Sequence, residues 1–275
     1  MVASETCALD LVGATLIREL APGDFLEIVD GMVRDLPPLE RAPTPMRCIF
    51  ELVYFARPDS TVFGESVDRV RRELGRHLAR EHPVPGADVV FSVPDSANMM
   101  ALGFSDESGL KLEHGLIRNH YVGRTFINPT QALRVAKVKI KFNPVRQVIA
   151  GRSVVVVDDS LVRGTTSKGL VQMIRAAGAR EVHLRLSSPP ITGPCHYGID
   201  TPNRDELIAA NHSIEEITNY LGVDSLGYLS LEGMVAAAGT RNGFCHACFS
   251  GQYPIEPAAD VVPIRHHSPF VGSLP

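Results

Sequence analysis

The chain has 275 residues, 44% of them hydrophobic and none of them Trp, which is enough for one substantial core with extensions and too little for several independent domains. A formal net charge of -4 with dispersed Lys and Arg argues against a polyanion-binding surface, so nucleic acid is not an expected partner. No run approaches the ~18 apolar residues of a membrane span, and Glu5 and Asp10 in a start without basic residues speak against a secretory signal, which together predict a cytoplasmic protein with no membrane partner.

From the N-terminus, Ala8 to Val12 and Phe25 to Val29 read as strands with a Pro22-Gly23 turn between them. Pro37, Pro38, Pro43 and Pro45 then mark a linker. Gly64 to His82 places Val67, Val70, Leu74 and Leu78 at helical spacing, and Pro83 and Pro85 end that helix. Arg69, Arg71 and Arg72 fall on it and read as a solvated face. Asp88 to Val93 is a short apolar strand running into Pro94-Asp95-Ser96, followed by a helix over Ala97 to Ser108. Leu112 to Ile117 is another strand, whereas Arg118 to Pro129 fits neither period and reads as a loop.

The most informative stretch is Val154 to Ser167. Four consecutive β-branched residues, Val154 to Val157, have the pattern of a strand buried on both faces in a parallel sheet, and the strand stops at two adjacent carboxylates, Asp158 and Asp159. A hydroxyl-rich loop around Gly164 follows. Thr165 to Gly178 then carries Leu170, Ile174 and Ala177 at helical spacing. Backbone N–H groups of Arg163 to Ser167 would converge at that helix N-terminus, with Thr and Ser hydroxyls beside them, a way of holding phosphate without a Lys. The carboxylates are left to bind hydroxyls or a metal.

Glu181 to Ser187 supplies a further strand, and Asn203 to Asn211 and Ser213 to Leu221 further helices. The alternation predicts an α/β fold with a doubly wound, mostly parallel sheet flanked by helices, whose ligands bind beyond the strand carboxyl ends. Both acidic loops fall at that edge. Pro254 to Pro275 reads as a poorly ordered tail.

Five scattered cysteines do not make a disulfide framework. Cys245 and Cys248 form a two-residue-spaced pair, with Cys48 and Cys195 far off in sequence. Four such thiolates suit either zinc or an iron–sulfur cluster, and spacing leaves both open. Cys7 reads as a buried, unligated thiol.

Val154 to Ser167 resembles the phosphoribosyl-pyrophosphate (PRPP) loop of type I phosphoribosyltransferases at nearly every position. Ser92 to Ser96, Gly115 to Ile127, and Ser188-Pro189-Pro190 through Cys195-His196-Tyr197-Gly198-Ile199-Asp200 narrow this further. In order and spacing they resemble the glutamine PRPP amidotransferases, from about Val2 to about Pro254. The resemblance implies a type I phosphoribosyltransferase fold and an amidophosphoribosyltransferase, a transferase of de novo purine biosynthesis. Such an enzyme replaces the pyrophosphate of PRPP with ammonia, giving 5-phosphoribosylamine.

It further implies that Asp158, Asp159, Ser160, Arg163, Gly164, Thr165, Thr166 and Ser167 bind PRPP, the acidic pair on the ribose hydroxyls and the Thr-rich loop on the 5′-phosphate. Mg²⁺ would sit near Ser96, Asp158 and Asp159. Arg118, Tyr121 and Arg124 would act from a loop, hinged by Gly123, that closes over pyrophosphate. Cys48, Cys195, Cys245 and Cys248 would hold a [4Fe–4S] cluster, with zinc as the alternative. The family usually has Lys where Arg118 stands, and often another residue at His120, which puts turnover in question.

Residues 1–40 are expected to be the end of a glutaminase domain with a linker, 41–240 the phosphoribosyltransferase domain, and 241–275 a CxxC segment with a flexible tail. The family's catalytic cysteine at the start of the glutaminase has no counterpart in Met1-Val2-Ala3, so ammonia-dependent activity alone is expected, with glutamine use needing a separate glutaminase chain. Purine nucleotides as inhibitors and a homo-oligomer are implied as well. Two other readings are a non-catalytic PRPP- or nucleotide-binding regulator, against which the intact Arg118 to Phe126 loop speaks, and a nucleobase salvage transferase, in which the four cysteines have no role.

Overall fold

The structure, a computed structural model, describes residues 1–40, 44–119, 141–239 and 243–256. The sequence-predicted loop residues His120, Tyr121, Gly123 and Arg124, and most of the tail after Pro254, lie outside the described residues.

The N-terminal region holds a helical turn, α1 (Cys7–Asp10), and an antiparallel hairpin of β1 (Phe25–Val29) and β2 (Met32–Leu36). The strand expected over Ala8 to Val12 is thus this turn of helix. Its amides bond locally, Leu9 N–H to the Thr6 carbonyl at 2.8 Å and Leu11 N–H to that of Cys7 at 3.2 Å, so the backbone is satisfied without a partner strand. The hairpin turns at Asp30-Gly31, both at positive φ (48° and 76°), the geometry that an Asp-Gly pair favours. That dipeptide was the available signal for β2.

The central sheet is built from β4 (Val89–Ser92), β7 (Ser153–Asp158), β8 (Glu181–Leu186) and β9 (Ser225–Tyr228), in the spatial order β9-β8-β7-β4, all parallel. Among the described residues there are four smaller pairs: β3 (Arg47–Cys48) with β10 (Phe244–Cys245), β5 (Leu116–Arg118) with β6 (Phe142–Pro144), the two-residue strands Thr61–Val62 and Glu65–Ser66, and β1 with β2. Helices α2 (Val67–Glu81), α3 (Asn98–Ser108) and α6 (Leu231–Ala238) share a core with Val90, Val155 and Val157. The other face, Val89, Phe91, Val154 and Val156, packs with residues of α4 (Thr165–Ala176) and α5 (Ile214–Leu221). Helices on both faces explain why the Val154 to Val157 run is uniformly apolar.

From β4 the chain passes through α3 to Leu112, which forms a parallel bridge with Val90 on the outer side of β4. It then returns to β7 on the inner side and proceeds outward through α4 to β8. The direction of winding therefore reverses between β4 and β7, and the crevice beyond their carboxyl ends is a topological switch point.

Four expectations need correcting. Of Leu112 to Ile117, only Leu112 forms a bridge to the main sheet, with Glu113 N–H donating to the Val90 carbonyl at 3.0 Å, because Leu116–Arg118 turns away to pair antiparallel with β6. Asn203 to Asn211 is a 3₁₀ turn, Arg204–Glu206, and a short helix, Ile208–Asn211, separated by an extended Leu207 that is fully buried. The strand β9 and helix α6 were not anticipated, since Gly227 and an Ala-rich run blur their periods. Arg71 is not part of a solvated face: it lies buried, while Arg69 and Arg72 pair with Glu65 and Asp68 along the helix. No described helix is long and apolar enough to cross a membrane.

Candidate active site

Two acidic loops meet at the switch point because β4 and β7 are neighbours in register, Ser92 opposite Val157. Asp158 closes β7, and Asp159, 6% exposed, follows it. The Asp159 carboxylate accepts hydrogen bonds from Ser96 Oγ, arriving from the loop after β4, and from Ser160 Oγ, both at 2.5 Å. Asp159 N–H donates to Asp158 Oδ1 at 2.9 Å, and Ser187 N–H to the Asp158 carbonyl at 2.9 Å.

The electrostatics follow from this crowding. Burial, and then the charge of Asp159, hold the Asp158 carboxyl well above the usual carboxylate range, even though part of its surface stays open to the crevice. Burial also raises Asp159, opposed by the Ser160 and Ser96 hydroxyls and by the cationic Arg71. Two adjacent acids in this state gain by meeting a cation or the hydroxyls of a sugar.

Next to the pair, Gly164 adopts a left-handed conformation (φ 75°) as the N-cap of α4. A Cβ there would lie 2.9 Å from Ile208 Cδ1 and 3.3 Å from the Tyr220 ring, so the position needs Gly both for its φ and for space. The helix starts at Thr165, and the amides of Thr165, Thr166 and Ser167 belong to the first turn, which has no intrahelical acceptor for them. This is an anion cradle with three hydroxyls at its rim. Arg163 Nε donates to Glu206 Oε2 at 2.5 Å, which ties its guanidinium to the 3₁₀ turn.

Arg118 ends β5 and forms an ion pair with Asp95 across a cavity of about 200 Å³ that is also lined by Ser92, Asn98 and Glu113. It is the one member of the expected catalytic trio, Arg118, Tyr121 and Arg124, within the described residues.

Cys48, Cys195, Cys245 and Cys248 line one cavity of about 390 Å³. Asp159, Ser160 and Arg163 line the same cavity, so sulfurs and carboxylates 111 residues apart (159 minus 48) face one space. The β3–β10 pair sets Cys48 opposite Cys245. All five cysteines are free thiols, and Cys7 is buried and not part of that lining. Burial, then the neighbouring Cys48, Cys195 and Cys245, push the Cys248 thiol up to about 12, and burial raises that of Cys48. Four cysteine side chains on one cavity are, by the chemistry of their sulfur donors, a set suited to a thiolate-bound metal. Among the described residues, no three His, Cys, Asp or Glu side chains converge closely enough to hold a metal ion, at the cysteines or at the acidic pair.

Sequence reasoning missed two features of this edge. Ser187 and Ser188, after β8, are fully buried with hydroxyls that have no hydrogen-bond partner among the described residues. Arg71, read as solvated, sits close enough to Asp159 to affect its ionisation. Neither burial has a local signal.

No family model matches the chain. It is 51% identical over 256 residues to an amidophosphoribosyltransferase of Synechococcus elongatus, covering 93% of this chain and 52% of that protein. An amidophosphoribosyltransferase of Archaeoglobus fulgidus is 51% identical over 258 residues, covering 93% and 56%. Among solved structures, the glutamine PRPP amidotransferase from B. subtilis complexed with ADP and GMP superposes with a TM-score of 0.86 at 49% identity, covering 94% of this chain and 57% of that one. A structure described as the allosteric regulatory enzyme of purine biosynthesis also superposes at 0.86, with 48% identity. The chain is homologous to these proteins over nearly all its residues and spans about half the length of the curated relatives it matches.

Proposed function

We infer that this homologue of the amidophosphoribosyltransferases carries out their phosphoribosyl transfer, in purine biosynthesis and in the cytoplasm. Ammonia bonds to C1 of PRPP as the C1–O bond to pyrophosphate breaks, giving 5-phosphoribosylamine and pyrophosphate. The observation that carries this reading is the Ser96–Asp159 contact at the switch point, with Asp158 beside it and the Gly164–Ser167 cradle adjacent. A salvage transferase leaves the four-cysteine cavity without a purpose.

In this reading the first-turn amides and the hydroxyls of Thr165, Thr166 and Ser167 hold the 5′-phosphate, with Ser160 and Arg163 at the edge of the same site. Asp158 and Asp159 accept hydrogen bonds from the ribose hydroxyls, and their negative charge favours the electron-poor ring as C1 loses its leaving group. Arg118, Tyr121 and Arg124 face the pyrophosphate from a segment that closes over it and excludes water. When bound, Mg²⁺ neutralises charge on the departing diphosphate, and Ser96, Asp158 and Asp159 are the residues that would hold it.

Cys48, Cys195, Cys245 and Cys248 hold a [4Fe–4S] cluster in this reading, with zinc as the alternative. Supporting it are their shared cavity and the packing of Phe244 and Phe249 into the main core, so the C-terminal segment is fastened where the ligands lie. Residues 1–40, 41–240 and 241–275 then correspond to the end of the glutaminase domain with its linker, the transferase domain and the tethered segment. Residues 1–275 use free ammonia, and glutamine use requires a glutaminase, separate or as the remainder of a longer chain. Purine nucleotides are proposed as inhibitors and a homo-oligomer as the assembled form.

The test is steady-state pyrophosphate release with PRPP, Mg²⁺ and ammonium. Turnover supports the transferase; PRPP binding without turnover at high ammonium favours the regulator instead.

Residues 1–40 carry a physical consequence. Leu11, Val12, Ile17, Phe25, Ile28, Met32 and Val33 are exposed there, several on a two-stranded hairpin with open edges. Such a surface associates. The purified 275-residue chain is expected to scatter light as dimers or larger species; a clean monomer at high concentration would contradict this.

A further inference from the structure

Arg71 is the largest side chain fully buried among the described residues, at 1% exposure. A buried guanidinium needs partners, and no carboxylate among the described residues stands within ion-pairing distance of it. Its bonds go to backbone instead: Nε donates to the Leu52 carbonyl at 3.0 Å and Nη2 to the Ala56 carbonyl at 2.7 Å.

Both carbonyls belong to one unusual turn. Glu51–Phe55 is π-helical, closed by Ala56 N–H donating to the Glu51 carbonyl at 3.0 Å. Continuing that pattern, Arg57 N–H would donate to the Leu52 carbonyl. It donates instead to the Glu5 carboxylate at 2.8 Å, which Ser60 Oγ also reaches at 2.8 Å. The Leu52 carbonyl is thereby left to the guanidinium. The turn is clamped at its end, with Glu5 taking the amide from outside and Arg71 taking the carbonyls from the core.

The turn carries a wall of the cavity. Phe50, Tyr54 and Phe55 line it together with Asp159 and Cys48, and Phe50 stacks on Phe249 at 5.8 Å. The cradle residues Thr165 to Ser167 do not line it. We propose that Arg71 is a positioning residue, which caps the π-helical turn and so sets the aromatic wall facing Asp159 and Cys48. Resting on the phosphoribosyl-transfer reading, the proposal puts the approach of ammonia on the side of this wall, where Ser160 and Arg163 also line the cavity but the first-turn residues that hold the 5′-phosphate do not.

The test compares Arg71→Met and Arg71→Lys in the full chain with two readouts, labelling of Cys48 by a thiol reagent followed by peptide mass, and the KM values for ammonium and PRPP. Arg71→Met is expected to raise Cys48 labelling and the KM for ammonium by about tenfold each, with the KM for PRPP within about threefold of wild type. Arg71→Lys, which still reaches one carbonyl, recovers most of both. Labelling at the wild-type rate in Arg71→Met, equal behaviour of Met and Lys, or a parallel rise of both KM values would overturn the proposal. If wild type releases no pyrophosphate, the transferase reading fails and the labelling comparison alone decides this one. Should Arg71→Met not fold, labelling in Arg71→Lys must exceed wild type by about twofold, and equality overturns the proposal.

Discussion

Asp159→Asn should release pyrophosphate about 10²–10³-fold more slowly than wild type at saturating PRPP, Mg²⁺ and ammonium, and Asp158→Asn should match it. Each substitution keeps shape and loses the charge that favours the developing positive ring. At Asp159 it also replaces a carboxylate that now accepts from two hydroxyls at 2.5 Å. The same substitutions are expected to help the unliganded fold, because the native pair is crowded. The folded-state carboxyl of Asp158 is raised above its unfolded value, so its contribution to stability is present at acid pH and is lost as pH rises through the folded-state value. Above the folded-state value, wild type therefore carries a destabilising charge that Asn lacks. Asp158→Asn should melt about 2–4 °C higher than wild type without ligand, on the order of 1 kcal/mol. That advantage should shrink towards acid pH, about pH 4, where a carboxyl in water takes up its proton, and when PRPP and Mg²⁺ are added. Calorimetric scans over pH with parallel activity assays check both signs. A variant that loses activity and melts lower at pH 7 would mean the pair is structural.

The second large effect concerns the sulfur cavity. Cys248→Ser should abolish bound iron and acid-labile sulfide, or zinc if that is the metal, and should destabilise the protein by roughly 4–5 kcal/mol, the range in which metal loss falls. For a chain of this size that is ~8–20 °C in thermal midpoint. The segment around β10 should loosen with it, since β10 holds only two residues against β3 while Phe244 and Phe249 anchor it in the core. Cys7→Ser is the control. Cys7 is buried but lies off the cavity, so metal content should be unchanged. Anaerobic purification with metal and sulfide analysis separates the outcomes: equal metal in wild type and Cys248→Ser would remove the site.

Where local pattern and long-range packing agree, the sequence was legible. Val154 to Val157 could only be a doubly buried strand, Asp158 and Asp159 had to follow at its end, and Thr165 onward had helical spacing, so the site's centre could be placed before any contact was known. Ser96 joined it because two strand-loop-helix units in a parallel sheet put their loops at one edge. What could not be read depends on contacts without a local signature. Arg71 sits among charged residues of a helix and looks solvated, yet it points inward because a π-helical turn 15 to 19 residues earlier offers two carbonyls. The four cysteines carried a spacing signal, but nothing in it announced that they share a cavity with Asp159. Ala8 to Val12 looked strand-like and became a helical turn, because composition alone does not say whether a partner strand is present.

The central claim is that the acidic pair grips a ribose whose 5′-phosphate rests in the neighbouring cradle. A crystal structure of the chain with PRPP and Mg²⁺ tests it most directly. The account predicts the 2′- and 3′-hydroxyls within about 2.6–3.2 Å of the Asp158 and Asp159 carboxylates, and the 5′-phosphate at the amides of Thr165 to Ser167. Density for the sugar elsewhere, with Asp158 and Asp159 still bonded only to Ser96, Ser160 and each other, would contradict it.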